Sequence, residues 1–105
     1  MLRSARAFLF EACDDAWKTA ATGAELSLEQ RAAVRLSCAQ VADAAKAVVQ
    51  MAYDIGGGTS VYESCPLQRC FRDMYAAVQH VQAQSGNFET CGRVILGMEP
   101  GTPLL

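Results

Sequence analysis

Apolar residues recur at three- and four-residue steps along the first part of the chain, and charged residues fill the positions between them. This spacing predicts an amphipathic helix from Leu2 to about Ala21. Gly23 is expected to end the helix, because glycine readily takes the left-handed conformation found after a helix C-terminus. The apolar positions of this helix are Leu2, Ala5, Leu9, Ala12, Cys13, Ala16 and Ala20.

A second and longer helix is predicted from Ser27 to Ile55. The residues Ser27-Leu28-Glu29-Gln30 form a capping box, in which the Ser27 and Gln30 side chains reciprocally satisfy backbone amides at the helix start. An alanine-rich run without proline or glycine follows, and it stops at Gly56-Gly57-Gly58. A helix of this length spans about 42 Å. Helices this long in a small domain are normally members of a bundle.

A third helix is predicted to begin at Pro66, a residue that is tolerated in the first turn of a helix, and to run to about Gln84. Gly86 interrupts the pattern, and Asn87 can cap a short fourth segment over residues 88–96. The apolar stripe of the third helix consists of Leu67, Cys70, Phe71, Met74, Val78 and Val81.

The chain shows no alternating pattern of strands, no repeat and no low-complexity linker. We therefore expect an all-α fold: an antiparallel bundle of three long helices plus a short fourth segment, in one domain over residues 1–105. The composition is 51% hydrophobic and 19% charged with a net charge of −2, which is ordinary for a globular domain. The nine basic residues are scattered and outnumbered by eleven acids, so a nucleic-acid-binding protein is not indicated.

No apolar run is long enough to span a bilayer. Glu11, Asp14 and Asp15 interrupt the stretch that follows the basic residues at the start, which is unlike a signal peptide, and a cytoplasmic location is expected. The five cysteines form no C-x-x-C pair and the chain has one histidine, so no metal site is expected.

Short motifs follow the second helix: a Gly-Gly turn, a tyrosine, a Pro-Leu-Gln-Arg run, an Arg-Asp pair and a Gln-His pair. They fall at Gly57-Gly58, Tyr62, residues 65–69, Arg72-Asp73 and Gln79-His80. This series resembles the C-terminal helical domain of the acyl-CoA dehydrogenase superfamily. Within that superfamily it is most similar to the flavin-dependent, two-component monooxygenases.

The resemblance implies a role for several residues. Gly57 and Gly58 would lie against the adenosine diphosphate portion of a flavin held by a neighbouring subunit, and Arg72 would also bind the cofactor. His80 would enter the substrate pocket over the flavin, where it helps to deprotonate or orient the substrate. The residues alone leave two alternatives open: glycines that serve only to end a long helix, and an ordinary surface histidine at position 80.

Three details refine this interpretation. The third glycine of the dehydrogenase pattern is replaced by Ser60, and the usual glutamine is replaced by Asp54. Dehydrogenases that carry their catalytic base in this region have a Tyr-Glu-Gly-Thr motif, whose glutamate would fall at His80 or Val81. No acid is present there, so the sequence favours the monooxygenase branch. Arg72 and its neighbour Asp73 do not face one another on a helix, and each is expected to reach a different partner.

Members of the superfamily also have an N-terminal helical domain and a β-barrel, and their flavin ring lies between barrel and bundle. The sequence covers neither of these domains nor the first helix of the bundle. We therefore expect an oxidoreductase domain that depends on a flavin, FAD or FMN, supplied with the missing domains, and that is inactive alone. A homo-oligomer, dimer or tetramer, is expected to cover the apolar groove of the incomplete bundle. The alternative is a non-enzymatic helical module for oligomerisation or interaction.

Overall fold

The computed structural model describes residues 1–103 and 105, and it is helical throughout with short connections. Four helices follow one another: α1 (Leu2–Ala21), α2 (Leu28–Gly56), α3 (Pro66–Ala77) and α4 (Gly86–Ile95). Two short 3-10 turns lie between them, at Gly57–Val61 and Val81–Ala83. The predicted all-α class is confirmed, and so are the bounds of the first two helices.

The predicted capping box determines where α2 begins and also how α2 lies on α1. The amide N–H of Gln30 donates to the Ser27 hydroxyl, and the amide N–H of Ser27 donates to the Gln30 side chain, both at 3.1 Å. The Gln30 Nε2 then donates to Asp15 and to Thr19 on α1, each at 2.8 Å. One side chain therefore completes a cap and joins two antiparallel helices.

The far end of α2 is closed by the turn that follows it. Ser60 is fully buried, and its Oγ donates to the Tyr53 carbonyl at 2.8 Å. The helix end thereby gains a partner for a carbonyl that the helix itself leaves free. Across this junction the ring of Tyr53 lies 4.8 Å from that of Phe71, and Phe71 lies 4.7 Å from Tyr75, measured between ring centroids. These aromatic contacts pack α3 against α2.

The third helix is shorter than predicted, because α3 ends at Ala77 rather than near Gln84. Val78 is buried in the helix C-cap position, and the chain then turns into the second 3-10 turn. Two carbonyls of this turn, those of Val81 and Gln82, accept hydrogen bonds from the Asn87 side chain at 2.9 and 3.1 Å. The prediction failed here because no proline or glycine marks the end, and the groups that stabilise the turn come from further along the chain.

The predicted start of the fourth segment was also displaced. α4 begins at Gly86 with Ser85 in the N-cap position, so Asn87 lies inside the helix and does not cap it. Its side chain instead reaches back to the preceding turn, as described above. The helix contributes Cys91 and Val94 to a small core cluster with Ala32 of α2.

The interior is built largely from small side chains. The seven buried apolar residues of α1 and α2 are all alanine: Ala5, Ala12, Ala16, Ala32, Ala39, Ala42 and Ala44. Such side chains let helices approach closely but remove little apolar surface from water. The molecule is accordingly elongated, with principal extents of 51 × 28 × 19 Å.

Candidate functional site

The glycine turn at the end of α2 exposes bare backbone. Gly57 has a φ of +55° and a ψ of −141°, a conformation that side chains other than glycine rarely adopt, and its N–H donates to the Asp54 carbonyl. A Cβ atom at Gly57 or Gly58 would have no heavy atom within 4 Å, apart from the chain neighbours. The surface beside both residues is open, so a ligand can approach their backbone closely.

The preceding glycine has a different reason to be there. A Cβ atom at Gly56 would collide with the Ser60 side chain and would lie 2.8 Å from Leu67 Cδ1. Gly56 is therefore required by the packing of the turn against α3. Ser60, which replaces the third glycine of the resembled pattern, is also structural because it bonds the end of α2. Only Gly57 and Gly58 are left facing solvent.

His80 lies outside the helix on which it was predicted. With a φ of −64° and a ψ of 140°, it is the N-cap of the second 3-10 turn, and its ring is exposed. Its Nδ1 accepts the amide N–H of Gln82 at 3.2 Å. An acceptor nitrogen carries no proton, so the neutral ring carries its proton on Nε2. This nitrogen is a hydrogen-bond donor directed away from the turn.

The role of Gln82 was missed by the sequence interpretation. Its backbone N–H fixes the orientation and the tautomer of the only histidine. A polar residue two positions after a histidine is too common a pattern to have revealed this contact. This contact forms only because α3 ends before His80, and that ending was not predicted either.

Arg72 and Asp73 take up different positions, as expected from their spacing. Arg72 is exposed in the middle of α3. Asp73 pairs with Arg69 one helical turn away, with an N–O distance of 3.5 Å and both side chains exposed. Asp73 thus has a partner on its own helix, and that partner is not Arg72. A pair this exposed contributes little stability.

The glycine turn and the histidine lie at opposite ends of α3. Gly56 abuts Leu67 in the first turn of that helix, whereas the His80 amide donates to the carbonyl of Ala77, its last residue. The 12 residues of α3 correspond to a helix about 18 Å long. The structure thus separates the two candidate features rather than gathering them into one pocket.

An apolar groove of about 430 Å³ lies on the α1–α2 side of the molecule. Arg31 and Arg35 line it together with apolar and small side chains, and Gln82 brings the second 3-10 turn to its edge. Other lining residues are Cys13, Ala16, Trp17, Ala20, Leu26, Val34 and Leu105. His80, two residues before Gln82 in the sequence, is not among the residues that line the groove.

Over the described residues, no group of three or more His, Cys, Asp or Glu side chains is arranged to hold a metal ion. The same part of the chain contains no helix that is long and apolar enough to cross a membrane. All five cysteines are free thiols.

Comparison with known proteins gives a consistent picture. The family described as "Acyl-CoA dehydrogenase, C-terminal domain" matches residues 1–85. An indole-3-acetate monooxygenase of Pseudomonas putida is 31% identical over 99 residues, which make up 94% of this chain and 25% of that protein. A pigment production hydroxylase of Rhodococcus erythropolis is 33% identical over 104 residues, or 98% of this chain and 26% of that protein. The chain thus spans about a quarter of the length of these curated relatives.

Proposed function

Because this chain belongs to the acyl-CoA dehydrogenase C-terminal domain family, we propose that it is the helical domain of a flavin-dependent monooxygenase. It contacts a flavin through the Gly57-Gly58 turn and lends His80 to the substrate pocket. The other walls of both sites come from an N-terminal helical domain and a β-barrel, so the chain is inactive alone. The names of the two relatives, a monooxygenase and a hydroxylase, favour this branch over dehydrogenation.

The observation that carries the proposal is the open backbone of the glycine turn. A flavin nucleotide needs close approach to backbone amides around its phosphates, and a Cβ atom there would obstruct it. Both glycines meet this requirement, since a Cβ atom at either would point into open space. The residues present therefore fit one edge of a flavin site, while the chain leaves the remainder of the site to other domains.

The glycine turn and His80 lie at opposite ends of α3, which supports a contribution of each to a different flavin. The glycine turn would contact the adenosine diphosphate portion of a flavin held by a neighbouring subunit, and His80 would face the flavin ring of its own subunit. Arg72, exposed between them on α3, is free to reach a phosphate from its own side of the helix.

A reduced flavin, when bound, would supply the electrons with which molecular oxygen is activated for the insertion of one oxygen atom into the substrate. His80 contributes a fixed Nε2–H group, because Gln82 occupies Nδ1. In this state the ring donates a hydrogen bond to a substrate oxygen and orients it. Taking up a proton at Nδ1 would break the bond to Gln82, so the geometry favours orientation of the substrate over proton abstraction.

Self-association is part of the proposed function. The solvent-accessible surface of the chain is 7083 Å². A compact monomer of this mass exposes about 5,700 Å². The radius of gyration is 16.6 Å, against about 13 Å for a compact domain of this length. The chain therefore exposes surface of the kind that subunits and neighbouring domains cover.

A flavin titration of the purified chain tests the proposal. FAD fluorescence should change on addition of the protein, FMN should bind more weakly because it lacks the adenosine monophosphate portion of FAD, and ADP should compete with FAD. Gly58→Leu should weaken FAD binding at least tenfold, whereas Gly86→Leu, an equally open glycine at the start of α4, should not.

Equal binding by both glycine variants would remove the glycine turn from the proposed site. The absence of binding at millimolar FAD would instead favour a non-enzymatic oligomerisation module, to which the exposed apolar side chains also point.

A further inference from the structure

The chain turns back over the molecule after α4. Residues 98–103 and Leu105 form this returning segment, which we call the strap. Leu105 is half-buried and packs against the small core cluster that α2 and α4 share. The strap therefore leads from the end of α4 to the side of α2.

One side chain of α4 holds the beginning of the strap. The Arg93 Nε donates to the Glu99 carbonyl at 2.8 Å, and the Arg93 carbonyl accepts the amide N–H of Met98, also at 2.8 Å. Gly101 lies against the same guanidinium, because a Cβ atom there would be 3.5 Å from the Arg93 Nε. The φ of Gly101 is +78°, which residues with side chains rarely adopt. Arg93 thus contacts the strap at three successive positions.

The other end of the strap lies beside the second 3-10 turn, whose N-cap is the candidate histidine. Leu105 and Thr102 border a recess of about 230 Å³ together with Val81, the first residue of that turn. Leu105 also borders the apolar groove, which Gln82 of the same turn lines. The strap is thus a neighbour of the turn, in addition to α2 and the Asn87 side chain.

The direction of the His80 ring depends on the shape of this turn. Its Nδ1 accepts the amide N–H of Gln82 at 3.2 Å, and its carbonyl accepts the amide N–H of Ala83 at 2.8 Å. The ring is exposed, so burial of the ring contributes little to its orientation. Opening of the turn would therefore release the ring together with its Nε2–H group.

We propose that the strap braces this turn, and that Arg93, which holds the strap, is a positioning residue for His80. Arg93 acts at a distance, through the strap and Leu105. The use of His80 in a substrate pocket rests on the function proposed above, whereas the effect of the strap on the turn does not. The alternative role for the strap is to add apolar burial to the core cluster alone. The two roles differ in which backbone amides the strap protects.

Amide hydrogen exchange measured by NMR distinguishes the two roles. Arg93→Met keeps the length of the side chain and removes the donor to Glu99, so it should raise the exchange rates of the Gln82 and Ala83 amides by roughly threefold or more. Arg93→Gln keeps an N–H donor near the position of Nε and should restore most of the protection. If the strap served the core cluster alone, both amides would exchange at the wild-type rate, because they open with the turn.

Two glycines provide a matched pair of variants. Gly101 in the strap and Gly23 after α1 have nearly the same φ, +78° and +79°, and a Cβ atom at Gly23 would have no heavy atom within 4 Å. Alanine at either position strains the backbone to a similar degree. Gly101→Ala should raise the exchange rates of the Gln82 and Ala83 amides, whereas Gly23→Ala should destabilise the chain without affecting them.

The His80 ring gives a separate signal, because it is the only histidine in the chain. Its Cε1–H resonance should move toward the position found in the urea-unfolded chain in Arg93→Met and in Gly101→Ala. The resonance should stay in place in Arg93→Gln and in Gly23→Ala. Circular dichroism checks that each variant keeps its helices.

Wild-type exchange rates of the turn amides in Arg93→Met would overturn the proposal, and so would equal increases in Gly101→Ala and Gly23→Ala. If Arg93→Met does not fold, the comparison of the two glycine variants still decides. None of these measurements involves flavin. A chain that shows the effect of the strap but binds no FAD would therefore contradict the proposed function and leave this inference standing.

Discussion

Three consecutive glycines illustrate how differently single residues can be constrained. Gly56 is required for space, Gly57 for its backbone conformation, and Gly58 for neither. Because neither packing nor backbone conformation requires glycine at Gly58, a substitution there reports on ligand approach alone. The sequence identified the group of glycines as a candidate site, but it could not assign these separate constraints, because they depend on the side chains of Ser60 and Leu67 across the turn.

Alanine substitutions should separate the two exposed glycines. Gly57→Ala should lower the free energy of unfolding by about 1–3 kcal/mol, since it forces a side chain into a conformation that glycine favours. Gly58→Ala should change it by less than about 0.5 kcal/mol. Urea denaturation followed by circular dichroism measures both, and similar effects at the two positions would contradict the assignment.

Two substitutions of His80 distinguish the contribution of its Nδ1 hydrogen bond from that of its Nε2 atom. His80→Asn keeps an acceptor for the Gln82 amide and removes Nε2, whereas His80→Ala removes both. We expect His80→Ala to cost about 1 kcal/mol, as for the loss of an N-cap, and His80→Asn to cost less. Thermal unfolding of the two variants gives the comparison. Equal loss of stability would show that the Nδ1 bond contributes nothing to the turn.

The thiols of Cys38 and Cys91 should be less reactive than the exposed ones. Burial raises the pKa of both thiols above their ordinary value of 9.0, so the neutral form dominates at neutral pH. Iodoacetamide should therefore modify Cys13 and Cys70 first, as peptide mass mapping would reveal.

The same shift predicts a dependence of stability on pH. Because the thiols ionise more readily in the unfolded chain, their contribution is intact below about pH 8 and declines as the pH rises through 9 and beyond. Cys91→Ala should flatten that decline in urea denaturation midpoints measured across this range. An unchanged slope would argue against the buried thiol as its source.

Among the secondary-structure elements, the helix boundaries that are set by residues close together in sequence were the ones that could be predicted. The capping box lies within four residues and placed the start of α2 without knowledge of the rest of the molecule. The end of α3 could not be predicted, since it depends on the burial of Val78 and on an asparagine nine residues beyond it. The predicted position of His80 on α3 was wrong for the same reason, because the helix does not continue past Ala77.

The contribution of Asn87 to this turn can be measured directly. Its amide nitrogen donates to two carbonyls, so Asn87→Ala should lower the free energy of unfolding by about 1–2 kcal/mol. Asn87→Asp keeps the shape of the side chain but has no donor, and it should be at least as destabilising. If Asn87→Asp behaved like the wild type in urea denaturation, the two hydrogen bonds would not be responsible.

For the whole molecule, the interior determines how much surface is left for other chains. With alanine at most buried positions of α1 and α2, close helix packing is achieved while the large apolar side chains remain outside. The sequence pattern predicted which helices form. It could not predict which face of α1 packs inward, because the face that does so is the one with the smaller side chains.

Enlarging a buried alanine should therefore be costly. Ala39 on α2 has no exposed surface, and Ala39→Leu should destabilise the fold by about 1–3 kcal/mol through overpacking. Ala7→Leu, on the exposed side of α1, is the control and should be near neutral. Chemical denaturation compares the two, and a neutral Ala39→Leu would mean that α2 has room that the structure does not show.

Helix α2 takes part in nearly all of the packing between helices in the described chain. Gln30 of α2 bonds α1, and α3, α4 and both 3-10 turns also pack against α2. An arrangement of this kind opens in stages. α1 can lift away while α2 keeps its contacts with α3 and α4, whereas the loss of α2 removes the support of every other helix. Backbone amides of α1 should thus exchange with deuterium through small, frequent openings, and those in the middle of α2 should exchange last, at a rate set by global unfolding.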